Sequence, residues 1–109
     1  MRNFKLCVLE TPFAGDVGGN LKFARECMHD MLIRGEAPYA SHLLYTQPNV
    51  LDDNVPEERE LGIYAGFSWK HLPEVHTVFY LDKGMSNGMQ LAKDYCIENG
   101  MSFEERYLY

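Results

Sequence analysis

Ser86-Asn87-Gly88-Met89-Gln90 follows a glycine-bearing turn, Asp82-Lys83-Gly84-Met85, and that turn follows an apolar run over residues 75–81. A strand that passes through such a loop into a helix leaves backbone N–H groups without partners at the helix start. Those groups suit an anion or a ribose hydroxyl. Ser86 and Asn87 are good N-caps by residue type, and capping is compatible with ligand contact. Gln90 falls one turn inside, where the floor of a pocket is expected. Its amide can hydrogen-bond a base or a ribose, whereas a carboxylate there could attack a sugar carbon.

A second corner is Thr11-Pro12-Phe13-Ala14-Gly15-Asp16, at the end of the first apolar segment. Here Phe13 either stacks on a base or tucks into the core, and Asp16 can accept from a ribose hydroxyl. The glycines allow close approach to the backbone. Asn20, after Gly18-Gly19, is the expected N-cap of the following helix, because paired glycines disfavour a helix interior by roughly 1 kcal/mol each. The spacing is neither GxGxxG nor a Walker loop, so dinucleotide cofactors and P-loop chemistry fit poorly.

The third corner contains Ser41-His42 and runs through a long polar loop to Pro56-Glu57-Glu58-Arg59-Glu60. On a strand, adjacent Ser41 and His42 point to opposite faces, which argues against a nucleophilic relay with Asp52 or Asp53. His42 is therefore a ligand contact or a hydrogen-bonded structural histidine. Glu57 and Glu58 favour the helix dipole; Arg59 does not, and it reads as a cation held there for an anionic ligand or a buried carboxylate. The remaining histidines lack metal-ligand spacing, and neither a metal site nor a cofactor is expected.

The elements that must position these corners alternate along the chain. Strands are expected at residues 4–10, 37–45 (as a strand, or a strand plus corner), 75–81 and 101–109. Helices are expected from about residue 20 to Gly35, from Pro56 to about His71, and from Ser86 or Asn87 to Gly100. The inner face of the second helix is expected to carry Leu61, Ala65, Trp69 and Leu72. That of the third is expected to carry Met89, Ala92, Tyr95 and Cys96. Such alternation implies an α/β domain with a mainly parallel four-stranded sheet, helices on both faces and right-handed crossovers. Ligands bind such folds at the carboxyl ends of the strands, where the three corners lie.

Composition sets outer limits. At 109 residues the chain is expected to form one domain, and 46% apolar with 13% aromatic residues describes an ordinary globular protein. A net charge of −6 argues against nucleic-acid polymers and anionic membranes, which need a basic face, but not against a single nucleotide. Absence of a long apolar run or signal-peptide pattern leads to an expected cytoplasmic location. The three cysteines, Cys7, Cys27 and Cys96, sit in apolar patterns and read as buried thiols. Seven tyrosines and six phenylalanines are more aromatic surface than one small core covers, which points to a homo-oligomer with the Tyr107-Leu108-Tyr109 tail as a contact.

Taken together, the strand–TPF–loop, the ASHLL corner, the loop into PEERELG and the D-x-G-x-S-x-G-M-x helix start resemble the nucleoside 2-deoxyribosyltransferase-like superfamily over nearly the whole chain, in particular its small phage and prophage members. The resemblance implies a flavodoxin-like or Rossmann-like three-layer sandwich, oligomers whose neighbours complete the pocket, and a ligand with an N-glycosidic bond. It places Asp82 as a nucleoside contact and sets the superfamily's attacking Glu at Gln90, with Asp94 the next acid down the helix. A pocket without its nucleophile keeps binding energy and loses rate, so a nucleotide or ADP-ribose-like binder is expected, in a phage setting one that sequesters a host signal as counter-defence. The alternative is an N-glycosidase or deoxyribosyltransferase whose carboxylate is Asp94, Asp82 or Glu60.

Overall fold

The computed structural model describes residues 3–109. Four strands form its sheet: β1 (Lys5–Glu10), β2 (Glu36–Tyr39), β3 (His76–Tyr80) and β4 (Phe103–Arg106). Their order is β2-β1-β3-β4, and each neighbouring pair is parallel. The helices are α1 (Val17–Ile33), the one-turn α2 (Ser41–Leu44), α3 (Pro56–Ser68) with a 3-10 turn at Trp69–His71, and α4 (Asn87–Glu98). This is a Rossmann/flavodoxin-like α/β fold.

Strand parity divides the core into two layers. On one side Cys7, Leu9, Val78 and Tyr80 meet Phe23, Cys27 and Met31 of α1. On the other Phe79 meets Phe67 of α3 and Met89 and Ala92 of α4. Each central strand therefore needs apolar side chains in both directions, which explains why β3 is buried at all five of its residues. Burial pushes the Cys7 thiol up to about 11 and the Cys27 thiol up to about 12, and it raises Cys96 as well.

The α1 side also carries a polar network. Arg106 forks onto Glu36 with contacts of 2.8 and 3.0 Å, tying one edge strand to the other. It also donates to the Tyr80 hydroxyl, which in turn donates to Asp30. His76 bridges Ser102 and Glu104, and Glu104 pairs with Arg106. The hydrogen bond from Arg106, joined by one from His76, holds the Glu104 carboxyl below its usual range.

Three expectations from the sequence need correcting. First, α1 begins at Val17 and not near Asn20. Asp16 is its N-cap, accepting from the Gly19 amide at 3.2 Å, and a Cβ on Gly19 would lie 2.2 Å from the Asp16 carboxylate. The glycine pair thus occupies the first turn and makes room for the cap. Second, of the strand, or strand plus corner, expected over 37–45, the strand ends at Tyr39 and Ser41-His42 does not end it but lies on a helical turn at the corner, closed by Tyr45 N–H donating to the Ser41 carbonyl at 2.9 Å. Third, α3 is rotated from the expected phase. Leu61 and Trp69 are 62% and 43% exposed, and Leu72 is also exposed, while Gly66 and Phe67 face inward. Gly66 sets that rotation, because a Cβ there would meet Ser41 Oγ at 2.5 Å and α2 could not pack so closely.

Candidate functional site

The carboxyl ends of the strands open on a cavity of about 410 Å³, inside the usual range of roughly 300–1,000 Å³ for small-molecule sites. All three corners named from the sequence contribute to it. The Thr11–Asp16 corner gives Thr11, Phe13, Ala14 and Gly15; the Ser41-His42 corner gives Ser41, His42, Tyr45 and Thr46; the Ser86-Asn87 corner gives Ser86, Asn87, Gly88 and Met89. The loop 46–55 and the first turns of α3 complete the wall with Leu51, Asp53, Glu58, Arg59, Gly62, Ile63 and Phe67.

The floor is charged. Glu10, the last residue of β1, lines the cavity and pairs with Lys70 at 2.6 Å; their side chains are 13% and 1% exposed. Lys70 also sits 5.2 Å from the centroid of the Phe67 ring, a cation–π distance. Beside them the Thr11 hydroxyl and His42 Nε2 lie 2.6 Å apart. Burial holds the His42 imidazole below its ordinary pKa, with Glu10 opposing the shift and Lys70 adding to it. Its ring is therefore neutral near pH 7, with one nitrogen a donor and the other an acceptor.

Tyr45 and the start of α4 form further surfaces, and Tyr39 and Trp69 support Tyr45 from outside the lining. The Trp69 indole N–H donates to the Tyr45 hydroxyl at 3.0 Å, leaving the Tyr45 proton free to donate. Tyr39 stacks on Trp69 with ring centroids 4.7 Å apart, and burial, joined by the neighbouring Tyr45 hydroxyl, raises the pKa of its own hydroxyl. At the opposite wall Ser86 Oγ accepts from the Met89 amide at 3.2 Å. The amides of Asn87 and Gly88 precede the first intrahelical bond, so they remain available at the positive end of α4. Arg59 Nη1 lies 3.5 Å from Asp53 Oδ2, half-exposed at the rim. The loop is braced by Leu51 N–H to the Tyr45 carbonyl at 3.0 Å and Asp52 N–H to Glu58 Oε1 at 3.1 Å.

Of the thirteen residues nominated for ligand contact, eight line the cavity: Thr11, Phe13, His42, Arg59, Ser86, Asn87, Gly88 and Met89. Pro12 is buried just behind it. Asn20 is also buried, and its side-chain amide donates to the carbonyls of Phe13 and Ala14 at 3.0 and 3.1 Å, shaping the Thr11–Asp16 corner from behind. Asp16 is committed to capping α1. Asp82 accepts from the amides of Leu108 and Tyr109 at 2.8 and 3.1 Å and so anchors the C-terminal tail. Gln90 is exposed and donates to Asp94 on the outer face of α4, away from the expected pocket floor. Glu60 is exposed and, like Asp82 and Asp94, lies outside the cavity lining.

Sequence reasoning missed Glu10, Tyr45, Asp53, Glu58, Phe67 and the supporting Lys70. The available signal was an acid closing an otherwise apolar strand and a lone cation in the apolar-flanked FSWKHL segment.

The sheet and its rim define the class of molecule, a parallel α/β domain with a ligand-sized cleft at the strand ends, where such folds hold their ligands. The chain belongs to the DUF7768 family, described as a domain of unknown function, which matches residues 5–106. No curated protein and no solved structure matches it. Among the described residues no helix is long and apolar enough to cross a membrane.

Proposed function

We propose that this protein binds a nucleotide or an ADP-ribose-like molecule in a deoxyribosyltransferase-like pocket, as the sequence resemblance implies. The observation that carries the reading is the convergence of three different recognition surfaces on one cavity. Phe13, Tyr45 and Phe67 offer faces for a base. The α4 N-terminus, with Arg59 across the cavity, suits a phosphate. Carboxylates between them suit sugar hydroxyls. Sequestration of a host nucleotide by a phage-borne copy follows as the biological role, and a homo-oligomer as the working assembly.

Binding is favoured over turnover because the acids nominated for catalysis, Asp94, Asp82 and Glu60, sit outside the cavity. Calorimetry against nucleosides, nucleotides, cyclic nucleotides and ADP-ribose should show binding in the micromolar range or tighter for at least one of them. Chromatography of the denatured complex should return the ligand intact. No binding below about 1 mM, the weak end of the affinity scale, would remove the reading. Release of a free base would replace it with N-glycosidase activity.

A further inference from the structure

We infer that Glu10 reads the vicinal diol of a ribose, so that the cavity selects ribonucleotides over their 2′-deoxy counterparts. The inference rests on the nucleotide-binding reading above and assigns a residue and a selectivity to it. Glu10 Oε2 is taken by the Lys70 ammonium at 2.6 Å, and Oε1 has no protein hydrogen-bond partner among the described residues. A carboxylate accepts through both oxygens, so half of this group's capacity is unused although its side chain is only 13% exposed. Oε1 is not among the buried polar atoms without a partner, so it opens on the cavity that Glu10 lines, where a ligand hydroxyl can take the place of water.

The required partner is a donor. Glu10, Asp53 and Glu58 line the cavity against one guanidinium, Arg59, which itself contacts Asp53. An acceptor-rich wall of this kind takes hydroxyl or amino groups, and the phosphate is left to the α4 N-terminus. Two adjacent sugar hydroxyls can bridge one carboxylate oxygen and the neighbouring Thr11–His42 couple, which lies beside Glu10 in the chain and offers both a donor and an acceptor. Lys70 fixes the carboxylate from behind, packed between it and the Phe67 ring. A site built to bond a hydroxyl discriminates strongly against the analogue lacking it, because the protein group is then left unpaired.

The experiment is calorimetric titration of the wild-type protein with AMP, GMP, CMP and UMP, each paired with its 2′-deoxy counterpart, and with ADP-ribose. The expected result is a preference of about tenfold or more for the ribo form of whichever nucleotide binds, as a hydrogen bond to a charged group provides. In Glu10→Gln the preference should shrink to about fivefold or less, the middle of the range for a neutral hydrogen bond. Glu10→Asp keeps the charge but withdraws it, and should show the same loss; it stands in should Glu10→Gln fail to fold beside an unpaired Lys70. Equal affinity for ribo and deoxy forms in the wild type would overturn this inference and leave nucleotide binding intact. No binding of any compound would instead remove the functional reading on which it rests. Consumption of a nucleotide that Glu10→Gln abolishes would also overturn it, by making the carboxylate a reacting group.

Discussion

Replacing Lys70 by Met is the sharpest test of how the cavity floor is held. The ammonium is 1% exposed and cannot turn to water without opening the fold, while its partner carboxylate, 13% exposed, faces the cavity. Removing one member of a buried pair strands the other and destabilises by about 3–5 kcal/mol. The lower half of that range is expected, because Glu10 keeps one oxygen on the cavity side. Loss of the cation over Phe67 adds about 0.5–1 kcal/mol. Against a total stability of roughly 5–15 kcal/mol for a domain of this size, the variant should lose a large share, visible as a fall in Tm of about 15–25 °C. Adding Glu10→Gln to Lys70→Met removes both charges, and most of the stability should return, to within about 2 kcal/mol of wild type. Urea unfolding followed by far-UV circular dichroism and by the single tryptophan, Trp69, supplies the double-mutant cycle. A Lys70→Met variant within about 1 kcal/mol of wild type, with an unchanged m-value, would show that the pair is hydrated and does not support the floor.

Other consequences follow from the same packing. Because burial holds the His42 pKa below its unfolded value of about 6.5, the unfolded chain binds this proton first as pH falls. Stability should therefore be highest above about pH 7, decline as pH drops through about 6.5, and level off below the folded pKa. His42→Gln should flatten that part of the pH profile, and coincident slopes for the two proteins would exclude the assignment. Gly66→Ala should destabilise by about 1–3 kcal/mol through overpacking, since the new Cβ would lie 2.5 Å from Ser41 Oγ and 2.7 Å from its Cβ. It should also weaken ligand binding by moving the Ser41–His42 wall, and Ser41→Gly in the same chain should recover the stability. Cys7, Cys27 and Cys96 are at most 2% exposed and their thiols are raised by burial. Alkylation at pH 8 should leave all three unmodified in the native protein and modify all three in urea.

The alternation of elements was legible because a parallel sheet buried on both faces writes near-continuous apolar runs, as in LCVL and VFYL. The loops at the strand ends were legible by topology, and eight nominated contacts do meet in one cavity. Helix phase was less so. Residues 61–72 carry apolar side chains all round, with Leu61 and Tyr64 outward and Ile63 and Phe67 inward, so spacing alone does not select a face. The deciding contacts come from Gly66 against Ser41 and from Gly62, whose Cβ would lie 3.3 Å from Leu51. Both partners belong to a distant segment, and no local pattern encodes them. The start of α1 failed for a related reason: the glycine penalty applies to helix interiors, whereas Gly19 sits under its own cap.

The acid in the cavity was misplaced by one geometric step. Met89 is buried against the sheet, and the next residue on a helix is turned by about 100°, which directs Gln90 outward to Asp94. Position 90 therefore says little about chemistry in the cavity, and a carboxylate there would face solvent as the amide does. The informative position lies on the neighbouring strand. Cys7 and Leu9 point toward α1, so strict alternation turns Val8 and Glu10 toward α3 and α4, and Glu10 is the residue at which the strand reaches the rim. Among the described residues Lys70 is the hydrogen-bond partner of this acid, and its other side faces the cavity. Whether the protein binds or cleaves its ligand is thus decided by what the cavity-facing oxygen of Glu10 meets, a sugar hydroxyl or an anomeric carbon, and recovery of the ligand intact, against release of a free base, separates those two outcomes.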